Sequence, residues 1–287
     1  MDWSDVVLLI LIAVILLQYI RLARKNKRLR QMADEANRLR VDAEAAWQRN
    51  RQLKQEMTSN IAHELKTPVS SIRGYLEILL GDKPLDDTRR HHYLQRCYSQ
   101  TLRLSDLIQD VSLINKLEES ADLFPHQQTD ITSILHETID ELHDRAVANR
   151  DTLICKLPPA MPMLGNPELL YGIFRNLIEN AVSYAGTDIS IVIETYKEAP
   201  DAYYIHFYDT GQGVPDEYLS RLFDRFVRIG EGRSRADGGT GLGLSIVKHA
   251  VIFHGGEIYA RNRGGGAGSA DGNSLSGLEF FFSLKKR

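Results

Sequence analysis

His63 and Glu64 are adjacent, Thr67 lies four residues after the histidine, and Pro68 follows it. An imidazole is largely neutral near pH 7, and a neighbouring carboxylate can hold one ring N–H and sharpen the other nitrogen as a nucleophile. Residues four apart share a helix face, which puts Thr67 beside His63. Pro68 has no N–H for the carbonyl of Glu64, and its ring crowds that turn. A loosened or bent helix is expected just beyond the histidine. More than a hundred residues downstream, Asn176 and Asn180 are again four apart. An amide oxygen suits a hard cation such as Mg2+, and an amide N–H can donate to phosphate. Asp209 then opens the run Asp209-Thr210-Gly211-Gln212-Gly213, directly after a strand-like stretch. Its carboxylate can accept from an exocyclic amine, and the glycines let a ligand approach the backbone. Finally, the stretch 238–244, with Gly239, Thr240, Gly241, Leu242 and Gly243, opens into an apolar helical run. A glycine loop feeding a helix N-terminus offers free N–H groups to phosphate. It lacks the Gly-Lys-Ser/Thr ending of a Walker loop, and no strand immediately precedes it as a dinucleotide fingerprint requires.

Each signal alone is weak. A lone helical histidine is usually structural, paired asparagines are usually caps or surface amides, and Asp-x-Gly-x-Gly is as often a plain turn. Their number and order give them weight.

These residues need elements to hold them. Residues 6–20 are apolar except for Gln18, with Trp3 and Tyr19 at the flanks. Arg21, Arg24, Lys25, Lys27, Arg28 and Arg30 follow with no acid between them. A helix over residues 3–20 rises about 27 Å, close to the thickness of a bilayer core. A cleaved signal peptide would start basic and end on small residues, and neither feature is present. Residues 1–20 are therefore expected to form a retained single-span anchor in the cytoplasmic membrane. Its basic side would lie in the cytoplasm and its N-terminus outside, with too few residues there for a sensor domain.

Residues 21–57 then read as a signalling helix. Leu22, Leu29, Ala36, Ala43, Asn50 and Met57 recur every seven residues. Lys25, Met32, Leu39, Ala46, Leu53 and Asn60 lie three beyond each, completing an a/d seam. Asn50 would fix register in a parallel homodimeric coiled coil; the alternative is a single amphipathic helix lying on the membrane. Neither Gly nor Pro occurs from 21 to 67. The helical pattern continues to Leu80, residues 81–87 read as a turn, and Thr88 is placed to cap a second helix. Residues 58–122 are thus expected to form a helical hairpin that becomes a four-helix bundle in the dimer.

Residues 123–287 mix helices and strands. Helices are expected over 131–149 and from Pro167, the latter capped by Asn166. Strands are expected at 152–157, 189–196, 203–208, 257–261 and 278–284. Without regular βαβ alternation these make an α+β two-layer sandwich. The glycine-rich tract 264–269 reads as a hairpin tip.

The chain's 287 residues suggest two domains and a linker, and 43% hydrophobic with 25% charged residues argues against disorder. A net charge of −3 argues against a direct nucleic-acid binder. Cys97 and Cys155 cannot make a disulfide framework or a metal knuckle.

The run His63–Pro68 resembles the H-box of sensor histidine kinases. Asn176 with Asn180, then Asp209, then Phe223 to Phe226, then the loop 238–244 resemble, in order, the N, G1, F and G2 boxes of that family's ATP-binding domain. The likeness extends over residues 58–287. It implies that His63 takes the γ-phosphoryl group of ATP with Glu64 as assisting base, and that Thr67 helps orient water when the partner regulator is dephosphorylated. It implies that Asn180 ligates Mg2+, Asn176 contacts phosphates, Tyr184 lines the nucleotide site and Asp209 reads the adenine amino group. Gly211 and Gly213 would shape the adenine pocket, and Gly239 to Gly243 would lie along the triphosphate. Residues 223–228 would begin a lid continuing through 230–239, and a hinge would lie near 118–125. The onward acceptor would be an Asp of a cytoplasmic response regulator. Ser183, Asn166 and Thr58 depart from the residues many relatives carry at those positions. Related ATPases carry a water-activating Glu four residues before the Mg2+ Asn; Asn176 stands there, which argues against simple hydrolysis. A silent ATP-binding scaffold is the other alternative.

Overall fold

The computed structural model describes residues 3–81, 84–119, 123–229, 239–264 and 277–286, with no side-chain environment for 3–15, 23, 26, 28–30, 33, 34, 36, 50 and 53. Most of the expected lid, most of the 264–269 tract and part of the expected hinge lie outside the described residues. The chain divides into two units, Met1–Ala62 and His63–Arg287.

Helix α1 (Trp3–Leu80) supplies the first unit and opens the second. The long stretch without Gly or Pro lets helical hydrogen bonding propagate unbroken. In the first unit, Arg40 pairs with Glu44 one turn on at 3.0 Å, and Arg51 lies over the Trp47 ring. Leu22, Met32 and Leu39 of the heptad seam are exposed in the single chain. Asn50 and Leu53 of that seam lie outside the described side chains. Among the described residues no helix is long and apolar enough to cross a membrane. The anchor expected over residues 1–20 falls mostly on residues or side chains outside the described ones.

In the second unit α1 continues through Pro68 to Leu80. The proline does not interrupt the helix. Its ring is buried, and the Thr67 and Ser71 hydroxyls turn back onto the carbonyls of His63 and Thr67 at 3.4 and 3.0 Å. Helix α2 spans Asp87–Glu119. Its cap is Asp86 rather than Thr88: Asp86 Oδ1 accepts from the backbone N–H of Arg89 at 2.7 Å, which leaves Thr88 inside the first turn. Contacts between α1 and α2 run in opposite order along the two helices. Glu64 meets Arg103, Ile72 meets Cys97, and Tyr75 stacks on Tyr93. The pair is an antiparallel hairpin.

The remainder comprises β1 (Gln127–Asp130), α3 (Ile131–Ala148), β2 (Thr152–Lys156), β3 (Pro162–Gly165), α4 (Pro167–Tyr184), β4 (Ser190–Glu198), β5 (Ala202–Asp209), α5 (Asp216–Leu219), α6 (Gly243–Phe253), β6 (Ile258–Asn262) and β7 (Leu278–Lys285). One sheet has the order β2-β4-β5-β7-β6, with β2 parallel to β4 and the other pairs antiparallel. Strand alternation separates its faces. Leu278, Phe280, Phe282 and Leu284 of β7 enter the core with Tyr203, Ile205 and Phe207 of β5. The apolar stripes of α3, α4 and α6 join the same core through Leu135, Phe174 and Val247. These are the two layers expected.

A second ladder, β1 with β3, was not legible in the sequence. Four-residue strands show too little alternation, and β3 opens on a proline. Asp130 locks this ladder to α3: Oδ1 accepts from the N–H groups of Met161 and Thr132, and Oδ2 from Ser133. Asn166 caps α4 as expected, accepting from Leu169 N–H at 3.0 Å.

Candidate functional site

Asp209 ends β5 and is buried. Its Oδ1 accepts from Gly211 N–H at 2.8 Å and Leu278 N–H at 3.3 Å. Burial nevertheless raises its pKa, outweighing those donors and the charge of Arg263. Gly211 lies so close to the carbonyl of Ala185, at the end of α4, that a Cβ has no room there. Beyond Gly213, the Asn262 side chain clamps Val214: Oδ1 accepts from its N–H at 2.9 Å, and Nδ2 donates to its carbonyl at 2.6 Å. Asn262 carried no signal in the sequence, because a single amide at a strand end has no pattern.

Helix α4 places both asparagines on one face. Asn176 Nδ2 donates to the carbonyl of Gly172 at 2.7 Å, and a Cβ on Gly243 would come within 2.5 Å of Asn176 Oδ1. The glycine loop thus packs directly on that amide. Asn180 is half-buried, and among the described residues its side chain makes no hydrogen bond. An uncommitted amide oxygen one turn from the loop is a suitable donor for a hard cation. Tyr184, two turns beyond Asn176, sets its hydroxyl against Gly239.

The loop itself is tightly built. Gly241 has φ +71°, where a side chain is strained, and a Cβ would stand 2.9 Å from the Cα of Phe226. Phe226, itself at φ +61°, donates its N–H to the Gly241 carbonyl at 2.8 Å. The expected start of the lid is therefore hydrogen-bonded to the loop. Thr240 Oγ1 accepts from Leu242 N–H at 3.2 Å. Helix α6 begins at Gly243 without a side-chain cap, and an uncapped first turn is one whose N–H groups can serve as anion donors.

His63 is 74% exposed on the hairpin. Glu64 does not hydrogen-bond it, because the nearest approach, Oε1 to Nδ1, is 3.9 Å. Glu64 Oε2 instead lies 3.5 Å from Arg103 of α2 and 3.7 Å from Arg228. Two permanent guanidinium charges hold this one carboxylate away from the imidazole. Arg103 gave no signal in the sequence, since its partner is 39 positions away and lies on the other helix of the hairpin.

The structure thus combines a helical hairpin offering an imidazole to solvent with a two-layer α+β domain whose glycine loop opens a helix. Residues 53–120 match the family model of the His Kinase A (phospho-acceptor) domain, and residues 165–287 match that of the Histidine kinase-, DNA gyrase B-, and HSP90-like ATPase. The chain belongs to the sensor histidine kinases. It is 31% identical over 236 residues to the sensor-like histidine kinase SenX3 of Mycolicibacterium smegmatis, covering 80% of this chain and 60% of that one. It is 32% identical over 203 residues to the phosphate regulon sensor protein PhoR of Pseudomonas aeruginosa, covering 71% and 46%. The chain thus spans about half to three-fifths of the length of these curated relatives. The fold resembles the Acinetobacter baumannii histidine kinase AdeS, with TM-score 0.60, 20% identity, and 78% and 98% coverage of the two chains. It also resembles the histidine kinase ThkA crystallised with the response regulator protein TrrA, with TM-score 0.60, 18% identity, and 81% and 61% coverage.

Proposed function

We propose that this protein autophosphorylates His63 from Mg-ATP and passes the phosphoryl group to an Asp of a response regulator. The observation that carries this reading is an exposed His63 in the same compact unit as an uncapped, glycine-lined helix N-terminus. Exposure lets the imidazole reach a nucleotide, and the loop N–H groups provide the complementary anion site. In the transfer, an imidazole nitrogen bonds to the γ-phosphorus as the bond to the bridging oxygen breaks, and ADP departs. A regulator carboxylate then takes the group and returns the imidazole.

Asn176 and residues 239–243 hold the triphosphate, Asp209 reads the adenine amino group, and Tyr184, Gly211 and Gly213 shape the pocket. Asn180 would hold Mg2+, whose contribution when bound is to neutralise charge on the triphosphate. Glu64 serves as base once released from its arginines, and Thr67 supports phosphatase activity on the regulator. The co-crystallised ThkA and TrrA support a regulator partner for this chain. The exposed Leu22, Met32 and Leu39, with Leu76, Leu94 and Ile108 of the hairpin, support a homodimer. The apolar stretch 6–20 and the basic cluster after it support a single-pass anchor in the cytoplasmic membrane, with the catalytic body in the cytoplasm.

The test uses radiolabelled ATP. His63→Gln should abolish acid-labile, base-stable labelling while nucleotide affinity stays within about twofold. Asn180→Ala should lower Mg-ATP turnover by at least about 100-fold. Labelling that survives His63→Gln moves the acceptor elsewhere.

A further inference from the structure

Helix α2 does more than complete the hairpin. Its Asp110 carboxylate reaches the glycine loop, where Thr240 Oγ1 donates to Asp110 Oδ2 at 2.9 Å. A threonine hydroxyl has one proton to donate. While Asp110 holds that proton, the same hydroxyl cannot donate to a phosphate oxygen. The carboxylate is also an anion at the mouth of an anion site, so a polyphosphate and Asp110 repel each other there. Besides the packing of Leu113 and Leu117 of α2 on the ATPase core, a further tie between hairpin and ATPase domain is Arg228 to Glu64. It holds the carboxylate beside His63 on the domain that must deliver the nucleotide.

We propose that Asp110 is a phosphate-mimicking latch: it occupies the Thr240 hydroxyl in the nucleotide-free protein, and a triphosphate must displace it, releasing the glycine loop from α2. The proposal rests on reading residues 239–243 as the triphosphate site. Two ligands competing for one donor are negatively coupled, so docking on α2 and nucleotide binding oppose each other. Release at Thr240 also removes a restraint on the Arg228–Glu64 pair, because Phe226 joins the segment before Arg228 to the loop through Gly241. Nucleotide arrival and liberation of the carboxylate beside His63 are then one event.

The full-length chain is titrated with trinitrophenyl-ATP and Mg2+, with fluorescence reporting binding independently of phosphoryl transfer. Asp110→Ala should tighten binding at least about fivefold, and the isosteric Asp110→Asn by less, since its oxygen still accepts from Thr240. Asp106 lies one turn away and, among the described residues, carries no hydrogen bond to the loop, so Asp106→Asn should change affinity less than about twofold. In steady-state autophosphorylation, Asp110→Ala should lower KM for ATP more than it raises kcat. Unchanged or weaker binding in both Asp110 variants, each melting cooperatively, overturns the latch. So does an equal gain from Asp106→Asn, which would make the effect one of general charge. If the unaltered chain binds no nucleotide at all, the site reading falls and the latch with it; if it binds with no regard to Asp110, only the latch falls.

Discussion

His254 ties the end of α6 to the start of α4. Its Nδ1–H donates to the Ala250 carbonyl at 2.7 Å, and its Nε2 accepts from Asn166 N–H at 3.0 Å. Both bonds require the neutral ring in one tautomer. Burial is the main force holding its pKa down to about 4; the neighbouring His126 adds to it, and the Ala250 carbonyl opposes it. The sign of the consequence is fixed. In the unfolded chain this ring protonates near 6.5, whereas in the folded chain it stays neutral to about 4. Stability therefore falls as pH drops through 6.5 and levels off near 4, by roughly 3 kcal/mol for this group alone. His254→Phe should lose about 1–3 kcal/mol at pH 7, because Asn166 N–H is left buried without an acceptor, and it should flatten the acid slope. Thermal melts of both proteins at pH 7 and pH 5 check this. A variant that keeps the full acid slope would place the titration elsewhere.

At the scale of elements, the glycine loop works by shape. Gly241→Ala meets two obstacles: a left-handed φ that costs a side chain about 1–2 kcal/mol, and a Cβ driven against Phe226. Nucleotide affinity should fall about tenfold while the melting temperature shifts by only a few degrees, read by the same fluorescence titration and by calorimetry. Unchanged affinity would show that the loop's turn does not hold the ligand. Elements of this kind were largely legible in the sequence. The five strands of the main sheet and helices α3 and α4 follow from alternation, periodicity and the Asn166 cap, which are local. Asp86 was passed over in favour of Thr88 because both are good capping residues two apart, and only backbone geometry separates them. The β1–β3 ladder escaped because its stability comes from Asp130 reaching Met161 across 31 positions, which no local pattern records.

At the scale of the molecule, what local reasoning could not reach is the contact between hairpin and ATPase domain. Thr240 and Asp110 are 130 positions apart, and neither pattern nor spacing couples them. That contact has a pH dependence whose direction follows from what surrounds Asp110. Burial raises its pKa to about 6. Asp106 on its own helix and Glu179 of α4 push in the same direction, while the Thr240 hydroxyl and Arg175 of α4 oppose it. Undocked and solvated, the carboxyl returns towards 3.8. The docked form therefore binds a proton more tightly, and docking strengthens as pH falls through 6, by about tenfold between pH 7 and pH 5. Because docking opposes nucleotide binding, acid should weaken nucleotide affinity in the unaltered protein more than in Asp110→Asn. The nucleotide's own protonation is common to both proteins, so the ratio of their dissociation constants isolates Asp110. That ratio, measured with trinitrophenyl-ATP at pH 7, 6 and 5, should widen by up to about tenfold towards acid. A ratio that stays flat across this range would mean that Asp110 leaves the loop with the same charge it has when docked, and the acid dependence would then belong to other groups.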